Sequence, residues 1–539
     1  MESRRARTRL RPGLGAALVG IVLFGFLLRL VVLVTGQDGI ATHVHPGYDE
    51  SVYLGAAWLV RSGSLPYRDF VFVFPPGFLV LLLPISETAS WFGGPALTVT
   101  WVRVLAAVAG AVNIWLIGRV GSRWVGPVGG IVAALLYATM PFVVHTEASA
   151  LQEPFVNLGV LLAVVVWSGR DDGTITSRRL VGAGLLLGVA ISMKLVAGVV
   201  LVPFLLTGPY TRPVADRLRL ALAACAPVAA TSAIFAVLVG WRPLFEQAFE
   251  AQIFRGRDGE GLSRVNSLLP FLRGQVGATT FVGPSAWIAV SIFGAMCAGA
   301  IWKGGRAGRL WGATGATILV SLMASPSYYR HYGVLLAPAL VLVTAWALTA
   351  AFHSAQQRRS VSALVCTTLL VLIVGAIGAT QTVTAVADLP VNLGDLGVHL
   401  GRVIRNDGPP IAGRVSDAIE RVPRDRCIVA VRPQLLLDVD RVPSADRDGQ
   451  VLLDVYGSAL LAARRSDRSP SEMPGAFAFA SVQADIVRRS RDCRGFVFAT
   501  RTCKKGRKDI SRATQAKIEA GSRLLTQAGC YQFRVALHP

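Results

Sequence analysis

The sequence is poor in charge. Of its 539 residues only 16% are Asp, Glu, Lys or Arg, and 53% are hydrophobic. A soluble globular surface needs more charge than that, at about 25% of residues. Acid is scarcer still: 32 Asp and Glu stand against 54 Lys and Arg, for a net charge of +22. In a soluble chain such an excess would raise nucleic acid as a partner. Here much of it sits in short loops and at the N-terminus, where it is topogenic, and nucleic acid is excluded. Strictly alternating segments are missing from the apolar runs, which excludes a membrane β-barrel. Internal repeats are also missing. Cysteine is sparse, and its seven copies contain no CxxC pair, which argues against zinc. Cys225, Cys297 and Cys366 fall in apolar runs and read as inert core residues. Cys427, Cys493, Cys503 and Cys530 fall in the polar C-terminal region, where two disulfides with three connectivities are expected.

What the chain does have is apolar runs of about 20 residues, recurring along most of its length. Only helices and closed barrels satisfy backbone polar groups in lipid, so the fold class is a polytopic α-helical membrane protein. Spans are read near 14–34, 97–118, 126–145, 150–168, 180–207, 218–240, 277–302, 309–324, 333–351 and 360–383. The N-terminal MESRRARTRLR is basic and runs into the first span without a small-residue cleavage site, which predicts an uncleaved anchor with a cytoplasmic N-terminus. Residues 1–383 read as the transmembrane domain, with 36–93 as a first extracytoplasmic loop bearing juxtamembrane helices. Residues 384–539 read as a C-terminal α/β extracytoplasmic domain, with β-like runs such as CIVAVRPQLLLDV and GFVFATRTC and about eight surplus positive charges.

Basic loops fix the topology. Gly118–Trp124, Arg170–Arg179, Tyr210–Arg219, Trp302–Arg309 and His353–Arg359 all become cytoplasmic under two conditions. The proline-rich segment Pro75–Gly93 must not cross fully, and the 180–207 run must cross twice, turning near Met193-Lys194. This gives about 11 crossings of a plasma membrane, with the C-terminal domain outside.

That path gathers the polar motifs on the outer face. Asp49 and Glu50 follow the first span in THVHPGYDESVYLGAAWLV. Carboxylates at a membrane boundary are expensive unless they face water or a cavity; alternatively Asp49 caps the following helix. HTEASALQEPFVN holds His145, Glu147 and Glu153, with Pro154 at the start of a helix. Glu in a first turn also serves the helix dipole. Lys194, alone among apolar residues, must snorkel or meet an anion. In SPSYYRHYGVLLAP, Tyr329 and Tyr332 flank Arg330 and His331. The aromatics suit interface anchors, and Arg330 suits phosphate.

Taken in order, a cytoplasmic-start span, GYDES, PPG, LQEPF, MK and RHYxxxxxP resemble the GT-C membrane glycosyltransferases over residues 10–350. The closest likeness is to protein O-mannosyltransferases and lipid A aminoarabinose transferases. The resemblance implies a polyprenyl-phosphate sugar donor and an extracytoplasmic glycan, lipid or protein acceptor at the lipid bilayer, with inversion at the anomeric carbon. It implies that Asp49 is the acid facing the acceptor, with Glu50 beside it, and that Glu153 is a second acid. Lys194, Arg330 and His331 would hold the donor phosphate. Tyr48, Tyr53, His145, Glu147, Tyr329 and Tyr332 would line the substrate pocket. Some relatives use a divalent metal at the first-loop acids, which here would be Asp49 and Glu50. One departure is Val73-Phe74 before Pro75-Pro76, where the family often has a polar pair. The competing reading is a transporter or flippase of lipid-linked cell-envelope precursors, which would call for internal repeats and midplane charges.

Overall fold

The structure is a computed structural model that describes residues 12–35, 47–168, 175–253, 255, 284–325, 330–358, 418–423, 427–437, 440–446, 448–465, 479–493, 495–502, 509–528 and 531–537. The expected 360–383 span, Cys366, Cys503, Cys530 and Tyr329 lie outside these residues, as does the side chain of Arg330. The chain divides into two compact units.

The first unit comprises Met1–Leu33, Val104–Val228 and Glu260–Val391. Its helices include α1 (Pro12–Thr35), most of α4 (Pro95–Val125), α5 (Pro127–Thr139), α6 (Pro141–Glu147), α7 (Glu153–Ser168), α8 (Ser177–Met193), α9 (Leu201–Thr207) and the first half of α10 (Pro213–Val239). Helices Pro284–Lys303, Gly305–Ala324 and Ala337–Arg358 also belong to it. Apolar side chains such as Leu23, Leu27 and Leu222 point outward, as expected of helices solvated by lipid tails. With no hydrophobic drive between such helices, close approach at small residues supplies the packing. A Cβ on Gly188 of α8 would lie 2.3 Å from the Ala224 carbonyl of α10, and one on Gly312 would lie 2.6 Å from the Cys297 carbonyl.

Among the described residues four helical stretches are long and apolar enough to cross a membrane: Gly13–Leu33, Pro95–Val125, Pro213–Val239 and His331–Ser354. The pair α5–α6, bent by 65° at Met140-Pro141, makes a fifth if it is one span. The protein is thus multi-pass. The 180–207 run is interrupted, as its length and central lysine predict. Helix α8 stops at Met193, Lys194 is extended (φ −148°, ψ 112°), and a 3₁₀ turn over Leu195–Val200 leads into α9.

The second unit comprises Val34–Arg103, Ala229–Gly259 and Asn392–Pro539. Helix α2 (Tyr48–Arg61) buries Glu50 through Leu59, in part against α3 (Pro76–Phe92). Tyr53 meets Phe74 and Phe78 edge-on, with ring centroids 4.8 and 5.2 Å away. Tyr53 is therefore packing for the α2–α3 pair. The loop between these helices is held by Gln247, whose amide donates to the Tyr67 carbonyl (2.8 Å) and accepts from the Phe72 N–H (3.1 Å).

The C-terminal residues form a mixed sheet of order β1-β2-β4-β3: β1 Ile428–Ala430, β2 Gly495–Ala499, β3 Ser522–Ala528 and β4 Tyr531–Ala536. Strands β1 and β2 are parallel, and β2–β4 and β3–β4 antiparallel. The parallel pair needs a crossover, and helices Val455–Arg465 and Ala480–Asp492 lie within it. Ile486, Phe496, Phe498 and Ile518 fill a core on one side. A disulfide joins Cys427, before β1, to Cys493, before β2. The Asp69 carbonyl accepts from the Val451 N–H (2.8 Å), joining the α2–α3 loop to this region within the same unit.

Candidate functional site

In the first unit, α7 opens on Glu153, which is 1% exposed. Lys194 sits at the break after α8, and α7 and α8 pack along each other. An unbroken helix would leave the Lys194 ammonium to the surrounding apolar phase, at a cost of about 3 kcal/mol or more. At the break it forms an ion pair with Glu153 Oε1 and lies 3.8 Å above the Tyr332 ring centroid. His331 Nε2 stands 3.7 Å from the same Glu153 oxygen, and its ring packs edge-on against Tyr332. His331 and Tyr332 ride on a 3₁₀ turn over Arg330–Leu336. Asn157, one turn along α7 from Glu153, donates to the Val334 carbonyl of that turn (3.0 Å). Glu153, Lys194, His331 and Tyr332 are therefore brought together. A cleft beside them is lined by Val160, Val196, Val200, Trp311, Ile318 and Leu335.

Glu147 belongs to a different network. Its Oε2 accepts from Arg29 Nε and Nη2 (2.8 and 2.5 Å), and its Oε1 from Asn113 Nδ2 and the Tyr137 hydroxyl (3.0 and 2.7 Å). Both Arg29 and Glu147 are fully buried. Four donors saturate the carboxylate, and the charge pair with the two neutral hydrogen bonds links α1, α4, α5 and α6. His145 lies half-buried on α6.

In the second unit, Gly47 rather than Asp49 is the N-cap of α2. Asp49 stands in the first turn, half-buried. Glu50 is spoken for: Arg103 grips it through Nε to Oε1 and Nη2 to Oε2, both 2.9 Å, and the Gly47 N–H donates to Oε2 at 2.5 Å. Tyr48 donates its hydroxyl to Asp454 Oδ1 at 2.8 Å.

A divalent metal at Asp49 and Glu50 fits poorly. Binding it with both carboxylates would compete with three N–H donors on Glu50 and break a buried ion pair. Among the described residues no group of three or more His, Cys, Asp or Glu is arranged to hold a metal ion.

Sequence reasoning passed over Arg29, Arg103, Asn113, Asn157 and Asp454. Arg29 and Arg103 carried a signal, since an ionisable residue inside an apolar run marks a partner by default. Asp454 carried none, because its contact with Tyr48 spans 406 positions.

Residues 92–241 match the family model described as dolichyl-phosphate-mannose-protein mannosyltransferase. This is less than a third of the chain. No match was found among curated proteins. Among solved structures, ArnT from Cupriavidus metallidurans bound to undecaprenyl phosphate aligns with a TM-score of 0.56 at 16% identity, covering 97% of this chain and 98% of that one. Its apo state gives 0.55 at 16% identity, covering 96% and 98%. The oligosaccharyltransferase AglB from Archaeoglobus fulgidus gives 0.49 at 13% identity, covering 90% and 69%. The two ArnT alignments establish the fold alone: the chain folds as ArnT does.

Proposed function

We propose that the protein is a membrane glycosyltransferase that moves a sugar from a polyprenyl-phosphate donor to an acceptor on the extracytoplasmic side. The observation that carries this reading is the cluster of buried Lys194 and Glu153 with half-buried His331 and Tyr332 at a helix break. Glu153 holds the Lys194 ammonium in place there, and an anionic lipid headgroup at the membrane surface is a second anion that such a cation suits. The family match over residues 92–241 and the ArnT fold support the same donor class.

In this reading Lys194, with His331 and Arg330, holds the donor phosphate. Glu153 sets the ammonium in place before the donor arrives. Asp49 accepts the proton of the acceptor hydroxyl as its oxygen attacks the anomeric carbon. The carbon–oxygen bond to phosphate breaks with inversion, and polyprenyl phosphate departs with the electron pair, its charge held by the cations. The membrane is the plasma membrane, with the N-terminus cytoplasmic and the C-terminal residues outside.

The test is binding and turnover by the purified full chain. Undecaprenyl phosphate should bind wild type, and Lys194→Ala should weaken it about 10- to 100-fold, the worth of a charge-assisted contact. Equal binding by the two proteins would overturn the phosphate assignment.

A further inference from the structure

The residue before Asp49 is tied to a part of the chain far away in sequence. Tyr48 heads α2. Its hydroxyl donates to Asp454 Oδ1 (2.8 Å) and accepts from the Tyr456 N–H (3.3 Å). The Tyr456 ring meets the Tyr48 ring edge-on at 4.9 Å, and the Arg432 guanidinium lies 5.9 Å from the Tyr48 ring centroid.

These partners are themselves fixed. Asp454, 3% exposed, also accepts from the Gly457 N–H at 2.8 Å. Residue 457 must be small, since a Cβ there would fall 2.4 Å from Asp454 Oδ2. Arg432 is pinned by Asp509 through two hydrogen bonds of 2.7 and 3.0 Å. The Tyr456 hydroxyl donates to the same Asp509 at 3.0 Å. Arg432 follows β1 by two residues, so the chain of contacts runs from the sheet through Asp509, Arg432 and Tyr456 to the first turn of α2.

The first turn of a helix has unpaired N–H groups and frays unless something holds it. Two hydrogen bonds and an aromatic contact hold this one at Tyr48. The next side chain is Asp49.

We propose that Tyr48 and Asp454 are positioning residues for Asp49, so that the C-terminal residues set the direction of the acid that faces the acceptor. The proposal rests on the function proposed above and extends it: the sheet-bearing region contributes to turnover through α2. Tyr48 suits the role because burial pushes its hydroxyl well above the ordinary tyrosine range, with the Asp454 charge adding to the rise. It therefore stays protonated and keeps donating at neutral pH.

The experiment compares wild type with Tyr48→Phe, Asp454→Ala and Asp454→Asn in the full chain, using a polyprenyl-phosphate mannose donor and reading release of the lipid phosphate. Tyr48→Phe keeps the ring contacts and removes only the hydroxyl. A small misplacement of a reacting group costs up to about 100-fold in rate, and the losses expected here are about 10-fold for Tyr48→Phe and 10- to 100-fold for Asp454→Ala. They should fall on kcat, with undecaprenyl phosphate affinity within about twofold of wild type. Asp454→Asn retains an acceptor oxygen for the tyrosine and should recover most of the rate. The double variant Tyr48→Phe/Asp454→Ala should be no slower than Asp454→Ala alone, because both changes break one contact.

Wild-type kcat in Tyr48→Phe and Asp454→Ala would overturn the positioning role, as would additive losses in the double variant. A fall in lipid phosphate affinity matching the fall in kcat would also overturn it. If wild type neither binds undecaprenyl phosphate nor releases it from the donor, the proposed function fails and this inference with it. If Lys194→Ala loses binding while Tyr48→Phe and Asp454→Ala are silent, only the positioning role fails.

Discussion

Arg103 and Glu50 form a two-pronged ion pair, with both N–H to oxygen distances at 2.9 Å and both side chains nearly excluded from solvent. The neighbouring acids Asp49 and Glu50 therefore have different tasks. Glu50 anchors α2 to the start of α4, and Asp49 stands half-buried in the first turn of α2. Removing one partner of a buried pair strands the other charge, at about 3–5 kcal/mol. Glu50→Ala should thus lower thermal stability sharply. Asp49→Asn should leave the unfolding temperature near wild type and cut turnover about 100- to 10,000-fold, the usual contribution of a general base. Thermal scans and donor turnover on the two variants check this. Equal stability losses at both positions would contradict the division of labour.

Lys194 presents a competition. Its ammonium is paired with Glu153, and in the proposed function the donor phosphate seeks the same charge. Glu153→Gln removes the rival anion, so affinity for undecaprenyl phosphate should rise about tenfold, the scale of one charge-assisted interaction. Turnover should fall, because product release slows and the ammonium is no longer held in place. Equilibrium binding and steady-state rates separate the two effects. Reduced affinity in Glu153→Gln would mean that the carboxylate helps to hold the lipid phosphate instead.

The sequence made the first unit's chemistry legible because lipid penalises charge. Glu153 and Lys194 stand out against apolar neighbours, and the structure joins them. The helix break at Lys194 was legible for the same reason: the run was too long for one straight helix and had a lysine at its centre. Glu147 was expected to line the substrate pocket near the second acid, Glu153, because sequence shows a charge and not its partners. Only the fold reveals that Arg29, Asn113 and Tyr137 use up its oxygens. The Tyr48–Asp454 bond was illegible, since nothing local in either segment encodes a contact across 406 positions. The Cys427–Cys493 bridge selects one pair from the three connectivities.

Asp454 should make stability depend on pH. Burial pushes its carboxyl up to about 6 from an ordinary 3.8; Asp49 adds to the rise, while the Gly457 N–H, the Tyr48 hydroxyl and Arg255 oppose it. The native chain thus holds this proton more tightly than the unfolded chain does. Stability from this group is fully present below about pH 4 and is lost as pH rises through about 6, a change of about 3 kcal/mol. Asp454→Asn cannot titrate, so its stability relative to wild type should improve by that amount between pH 4 and pH 7. Chemical denaturation across this range measures the difference. A flat difference would show that Asp454 ionises normally in the folded protein.

The disulfide should matter most to the C-terminal sheet. Cys427 and Cys493 lie 66 positions apart and precede the two parallel strands β1 and β2. Parallel pairing closes a long loop, and its entropy is lost only when the strands meet. A cross-link of that span takes the loop entropy out of the unfolded state instead, worth about 4 kcal/mol in the chain-entropy model. The bridge closes the loop where pairing begins: the Gly495 N–H donates to the Cys427 carbonyl at 3.2 Å. Cys427→Ala/Cys493→Ala in the full chain should therefore lower the denaturation midpoint of this region. Adding reductant should lower the wild-type midpoint more than it lowers that of the variant. A wild-type midpoint insensitive to reductant would show that the strands pair without help from the bridge.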